Sequence, residues 1–380
     1  MARTRHFIAL DSLRGVCALL VCLFHFPATG VLLETGFIRH STLFVDFFFV
    51  LSGFVIAANY IDRLQAGPSL MRFFWLRIGR LYPLHLAVFL AYFAFELARF
   101  ASGAGDAFTG DKAVETIPTN LLLIHSLGIH DDASWNRPSW SISCELFAYV
   151  AFALSTVAAG KLRYVAYAML TAGSFFVLAH FNDGKFLATA DYGYFRCLMG
   201  FFAGVFVWRA WKGIDGALEA PTQALASWTF VEIAAIAGVV AYVSLVPQPS
   251  LLNFAAPAVF GGAVLVFAFE KGAVSSALRI KGATFVGLLS YSIYMVHQFL
   301  IDRLLNVAKV GEKLTGMELT RIGPDGFIEF AGNGVWADAT AAAFLVLTVA
   351  VSWVTYRLIE APARDWFRDH APRAAKAAAS

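Results

Sequence analysis

The chain has 380 residues, of which 59% are hydrophobic and 14% charged, with 37 phenylalanines and a mean hydropathy of +0.67. Soluble domains average about 45–50% apolar and about 25% charged residues, so water is excluded as the solvent for most of this surface and lipid takes its place. The formal net charge of +3 is too small to mark a nucleic-acid binder.

Hydropathy predicts an all-α polytopic membrane protein of about ten spans, at 12–29, 42–60, 80–99, 138–158, 162–180, 193–211, 228–246, 251–269, 283–302 and 339–359. Each is near the ~20 residues needed to cross ~30 Å of hydrocarbon. The basic start followed by an apolar run resembles a signal peptide, but Arg14 interrupts it and no small-residue cleavage site follows His25, so it reads as an uncleaved first span. Residues 117–129 form a shorter apolar piece, expected to be interfacial or re-entrant. Basic residues orient the bundle. With both termini in the cytoplasm, the inner segments hold Arg3, Arg5, Arg63, Arg72, Arg77, Arg80, Lys161, Arg163, Arg209, Lys212, Lys271, Arg279 and Lys281, then Arg357, Arg364, Arg368, Arg373 and Lys376. Acids such as Asp106, Asp111, Asp131, Asp132, Glu312 and Asp325 collect in the opposite loops, the longest being 100–137 and 303–338. One transmembrane domain over 1–362 and a short basic tail over 363–380 account for the chain. Cys17, Cys22, Cys144 and Cys197 lie in apolar runs without a CxxC pair and read as buried free thiols. No nucleotide-binding loop and no metal-ligand spacing appears, so neither ATP-driven transport nor a metal site is expected.

In chain order, the first span carries Arg14 and His25, eleven residues apart and therefore on one helix face, ~16 Å apart along the axis. Asp11 lies one turn before Arg14, placed to hold it. A histidine that packs between helices and an arginine that snorkels would be the plain reading. Ionisable groups are costly in lipid, which weights both toward function, and a desolvated, neutral imidazole suits a general base. Arg72, Arg77 and Arg80 with Tyr82-Pro83 stand at the foot of the third span. Membrane topology accounts for the sign of these charges; the repeated use of arginine suits bidentate phosphate binding, and spacing alone leaves both readings open.

Pro138 suits the first turn of the next helix, which continues Ser139-Trp140-Ser141-Ile142-Ser143-Cys144-Glu145. Ser141 and Glu145 share a face, and Glu145 lies ~10 Å below the outer surface, within about a turn of the depth of His25. Ser290, Tyr294 and His297 form a polar stripe on the ninth span, suited to interhelical hydrogen bonds or, with His25, to a shared polar cavity. Asp46 precedes Phe47–Phe54, where Ser52 and Gly53 permit close helix approach. Glu360 is placed to meet the arginine cluster, Arg196 to pair or snorkel, and Glu96 and Glu232 to serve structure near the interfaces.

Together these patterns resemble the family-3 membrane acyltransferases over almost the whole chain. The matching elements are Asp11-Ser-Leu-Arg14-Gly with His25, Val45-Asp46-Phe-Phe-Phe-Val-Leu-Ser-Gly53-Phe54, Arg77-x-x-Arg80-x-Tyr-Pro83, Pro138-Ser-Trp-Ser-x-x-x-Glu145, Ser290-Tyr-Ser-x-Tyr-x-x-His297 and Glu360-x-Pro362. The resemblance implies an acyl-CoA donor on the cytoplasmic side of a bacterial inner membrane and a hydroxyl acceptor, carbohydrate or lipid-linked, reached from outside. It implies no permanently bound cofactor. It makes His25 the central residue, with Arg14 and Glu145 as partners and Arg77 and Arg80 in the donor site. Arg72 and Tyr82 are expected to extend the donor site. Asp11, Ser139, Trp140, Ser141, Tyr291, Tyr294 and His297 are expected to serve substrate binding. The competing reading is a transporter or flippase of a lipid-linked glycan or an organic anion. The absence of a visible inverted repeat of broken helices counts against it.

Overall fold

The computed structural model describes residues 6–65, 70–215, 225–323 and 326–372. Arg3, Arg5, Asp325, Arg373 and Lys376, which entered the orientation argument, lie outside the described residues.

The protein is a bundle of helices. They run α1 Ile8–His25, α2 Phe44–Gln65, α3 Leu70–Ala101, α4 Ser139–Ala158, α5 Arg163–Phe181, α6 Gly193–Asp215, α7 Leu225–Leu245, α8 Ala256–Phe267, α9 Lys281–Thr315, α10 Gly334–Thr355 and α11 Ala361–Asp369. Among the described residues nine helical segments are long and apolar enough to cross a membrane. The predicted span over 251–269 is shorter, Leu251–Phe267, and begins as a 3-10 turn capped by Ser250. Two predicted spans are longer in the structure. α3 starts at Leu70 and keeps the arginines on helix, and α9 continues to Thr315, well past the apolar stretch. The loop after α9 holds an antiparallel hairpin, β1 Thr320–Ile322 with β2 Ile328–Phe330. Phe330 donates its backbone N–H to Pro27 O and stacks on Phe26 at 5.2 Å, so the hairpin caps the end of α1.

Lipid removes the hydrophobic drive for helices to associate, so close contacts form where side chains are small. α1 and α9 cross at Gly15 and Gly287. A Cβ on Gly15 would stand 2.6 Å from Gly287 N, and one on Gly287 2.6 Å from Asp11 O. α2 and α6 pack by the same device, with Gly53 and Gly204 against the opposing backbone. α7 lies at the rim and buries Glu232 and Val243 alone.

Several charges inside the bundle are matched. Arg196 on α6 grips Asp46 on α2 through Nε at 3.0 Å and Nη2 at 2.7 Å, both side chains being buried. The fourth motif residue, Trp140, covers that guanidinium at 5.4 Å. Glu232 accepts the backbone N–H groups of Gly272 and Ser275, and Glu96 pairs with Arg99. The four cysteines are free and buried. Residues 117–129 form a short helix, Ile117–Leu121, followed by turns, and bury Asn120, His125 and Ser126.

Gly15→Ala is expected to lower the thermal stability of the detergent-solubilised protein by on the order of 1–3 kcal/mol, the cost of overpacking. Gly238→Ala, whose Cβ meets nothing within 4 Å, is expected to leave it unchanged.

Candidate active site

A cavity of about 140 Å³ lies between α1, α2, α3, α4 and α9. Its polar walls are Arg14, Ser52, Arg77, Arg80, Ser141, Glu145, Tyr149, Ser290, Tyr291 and Tyr294. Phe48, Phe49 and Leu81 belong to its apolar lining.

Each arginine is held differently. Arg14 donates from Nε to Ser290 Oγ at 2.8 Å, and its Nη2 lies 3.5 Å from Asp11. Asp11 also faces His6. Arg80 forms an ion pair with Glu360, whose second oxygen accepts from Ser292 Oγ at 2.8 Å. Glu360 closes a π-helical turn, Tyr356–Glu360, which carries it off the regular path of α10; such turns often mark functional sites. Arg77 donates to Tyr60 OH at 3.0 Å and lies over that ring, and among the described residues it has no carboxylate partner. Its Nε is buried without a hydrogen bond.

Glu145, on α4, is the cavity's carboxylate. Ser52 Oγ and Tyr149 OH both donate to its Oε1, the latter at 2.6 Å. Its other oxygen has no hydrogen-bond partner among the described residues and is left to the cavity. Ser141 and Tyr294 close one side through a 2.8 Å hydroxyl contact, and Phe48 packs edge-on to Tyr294.

His25 lies behind that wall. The Tyr294 ring is 5.9 Å from the ring of His297, which is fully buried. His297 Nε2 is 3.3 Å from His25 Nδ1. His25 Nδ1 also faces Val21 O at 3.0 Å. His25 and Glu145 share no hydrogen bond: matched depth sets their height but not which side of α9 each faces.

The structure therefore brings Arg14, Arg77, Arg80, Ser141, Glu145, Tyr291 and Tyr294 onto one cavity and pairs His25 with His297. Other candidates lie elsewhere. Arg72 donates to the carbonyls of Ala371 and Pro372, tying α3 to the end of α11. Tyr82 is half-buried near His85, because it follows Arg80 by about half a turn and faces away from the cavity. Ser139 meets His125 Nε2 at 3.0 Å. Ser52, Tyr149 and Tyr60 were not singled out as site residues by sequence reasoning. Ser52 shares its small-residue motif with Gly53, and Tyr149 follows Glu145 by one turn, which is the signal that would have found it.

The profile of a family described as an acyltransferase domain matches residues 7–357. Acyltransferase MdmB of Streptomyces mycarofaciens is 26% identical over 342 residues, covering 82% of this chain and 77% of that protein. Protein 2 in the picA locus of Rhizobium radiobacter is 44% identical over 94 residues, 23% of this chain, and the chain spans 46% of that protein. No solved structure matches the chain.

Glu360→Gln keeps a partner for Ser292 but leaves Arg80 without its carboxylate. The variant is expected to melt earlier than the parent and to gain more thermal stabilisation from inorganic pyrophosphate, and adding Arg77→Ala is expected to abolish that gain. Equal stabilisation of parent and variant would mean that Arg80 does not face a ligand.

Proposed function

The chain belongs to the family-3 membrane acyltransferases, and on that premise we propose that it moves an acyl group, acetyl by expectation, from cytosolic acyl-CoA to a hydroxyl of a carbohydrate or other envelope acceptor, with His25 as general base. The observation that carries this reading is the arginine-lined cavity inside the bundle, whose lining residue Tyr294 packs 5.9 Å from the His297 ring of a histidine pair. A chamber buried among helices needs no arginine to hold it open. Guanidinium forks aimed into it suit phosphates and a thioester carbonyl.

In this mechanism the phosphates of the donor meet Arg77 and Arg80, Arg80 exchanging Glu360 for phosphate, and the pantetheine arm runs along the cavity toward Tyr294. Tyr294 moves aside from Ser141 to admit the thioester. The acceptor enters from the end of α1 that the hairpin covers. His25 Nε2 takes the acceptor's proton as its oxygen attacks the thioester carbonyl. The carbon–sulfur bond breaks, the ester forms, and the proton passes from His25 to the departing thiolate, giving CoA and the acylated acceptor. Arg14, fixed by Asp11 and Ser290, sets the charge beside the thioester. Glu145, held by two hydroxyls, presents its free oxygen to the acceptor or donor amide groups.

The distribution of basic residues supports a bacterial inner-membrane protein with both termini in the cytoplasm. That orientation puts the foot of α3, where Arg77 and Arg80 stand, on the side where acyl-CoA is made.

With purified protein in nanodiscs, radiolabelled acetyl-CoA and crude envelope acceptors, CoA release and label transfer are expected in the parent and absent in His25→Ala. Arg77→Ala is expected to raise the donor KM with a smaller effect on kcat, since it removes a binding contact. Full turnover in His25→Ala would overturn the assignment of the base.

A further inference from the structure

The histidine pair is unusual in containing no carboxylate. A histidine that acts as base is commonly oriented by an acid on its other nitrogen. Here the partners of His25 Nδ1 are the Val21 carbonyl at 3.0 Å and His297 Nε2 at 3.3 Å. His297 Nδ1 in turn faces the Ile293 carbonyl at 3.3 Å.

Carbonyl oxygens only accept, so both Nδ1 atoms carry hydrogen. His297 Nε2 is then an unprotonated acceptor aimed at the Nδ1–H of His25, which is shared between Val21 O and that nitrogen. The reverse tautomer of His297 would set N–H against N–H across 3.3 Å and a lone pair against Ile293 O. One arrangement satisfies every contact, and it leaves His25 Nε2 with its lone pair free.

The helices impose the pairing. α1 and α9 run parallel from their crossing at Gly15 and Gly287. Ten residues further along each, about 15 Å at the helical rise, stand His25 and His297. A fixed crossing with equal offsets delivers the two rings to one level.

We propose that His297 is the positioning residue of the reaction: it accepts the Nδ1–H of His25 and stabilises the imidazolium formed when His25 takes the acceptor's proton. This rests on His25 being the base. On protonation at Nε2 the Nδ1–H bond to His297 becomes charge-assisted and strengthens. His297 is fully buried and lies behind Tyr294, so it meets neither donor nor acceptor itself. A neutral imidazole in the place of a carboxylate avoids burying an anion in the membrane, where it would be costly.

The test uses nanodisc-embedded full chain with nitrogen-15-labelled histidine, in the parent, His297→Leu and His297→Gln. The parent is expected to show a nitrogen–nitrogen coupling across the hydrogen bond between His25 Nδ1 and His297 Nε2, which a packing contact does not produce. His297→Leu is expected to lose roughly 10–100-fold in kcat, the range seen when the outer partner of a metal-bound histidine is removed, with donor KM unchanged. His297→Gln, whose side-chain oxygen also accepts, is expected to recover much of that loss. Absence of the coupling, or leucine and glutamine variants alike in kcat, would overturn the proposal. Should His25→Ala retain turnover, the base assignment fails, while the coupling still decides whether the pair exists.

Discussion

The close parallel packing of α1 on α9 at Gly15 and Gly287 is the contact on which the site depends. In lipid such a crossing is held by backbone proximity rather than by apolar burial. It fixes which residues of the two helices meet: Arg14 with Ser290 and His25 with His297. The same stretch of α9 reaches the other elements of the site. Tyr291 donates to Leu81 O on α3, Ser292 to Glu360 beyond α10, and Tyr294 meets Ser141 on α4. Within eight residues α9 ties together every wall of the cavity, so a shift of the glycine crossing would move all of them.

The second constraint is the cost of charge away from water. Asp46 answers Arg196, Glu360 answers Arg80 and Asp11 answers Arg14. The Asp46–Arg196 pair is sealed between α2 and α6 and holds the scaffold. The cavity groups left without an opposite partner among the described residues are Arg77 and Glu145. A charge retained in lipid without an internal partner is costly, which sets these two apart from the paired charges of the scaffold.

Much of this was legible in the sequence because lipid leaves few choices. A run of about 20 apolar residues has to be a helix, and a buried Asp, Glu, Arg or His has to be answered. The Arg14–Asp11 pairing and the meeting of Glu360 with the arginine cluster followed from that rule. Helix ends were less legible. The start of α3 falls outside the predicted span 80–99 because its arginines lower the hydropathy, yet they ride on a helix anchored by Trp75 and Arg72 to the α11 end. α9 outruns its apolar stretch, its last turns carrying Lys309, Glu312 and Lys313. The rotation of side chains about their axes was not legible at all. Depth arithmetic brought His25 and Glu145 to one level but could not tell that Tyr294 and His297 stand between the cavity and His25. Nor could it assign Ser52 to Glu145, since that requires knowing that α2 and α4 face each other, whereas Tyr149 follows Glu145 by one turn of the same helix.

The account turns on a donor held in the arginine-lined cavity with its thioester against Tyr294. A structure of the nanodisc-embedded protein with acetyl-CoA bound tests this most directly. The account predicts phosphate oxygens within hydrogen-bonding distance of Arg77 and Arg80, Glu360 released from Arg80, and the thioester at a displaced Tyr294 facing His25. Acetyl-CoA seated instead in the surface cleft of Arg163, Arg209 and Lys212, with the cavity unchanged, would contradict it.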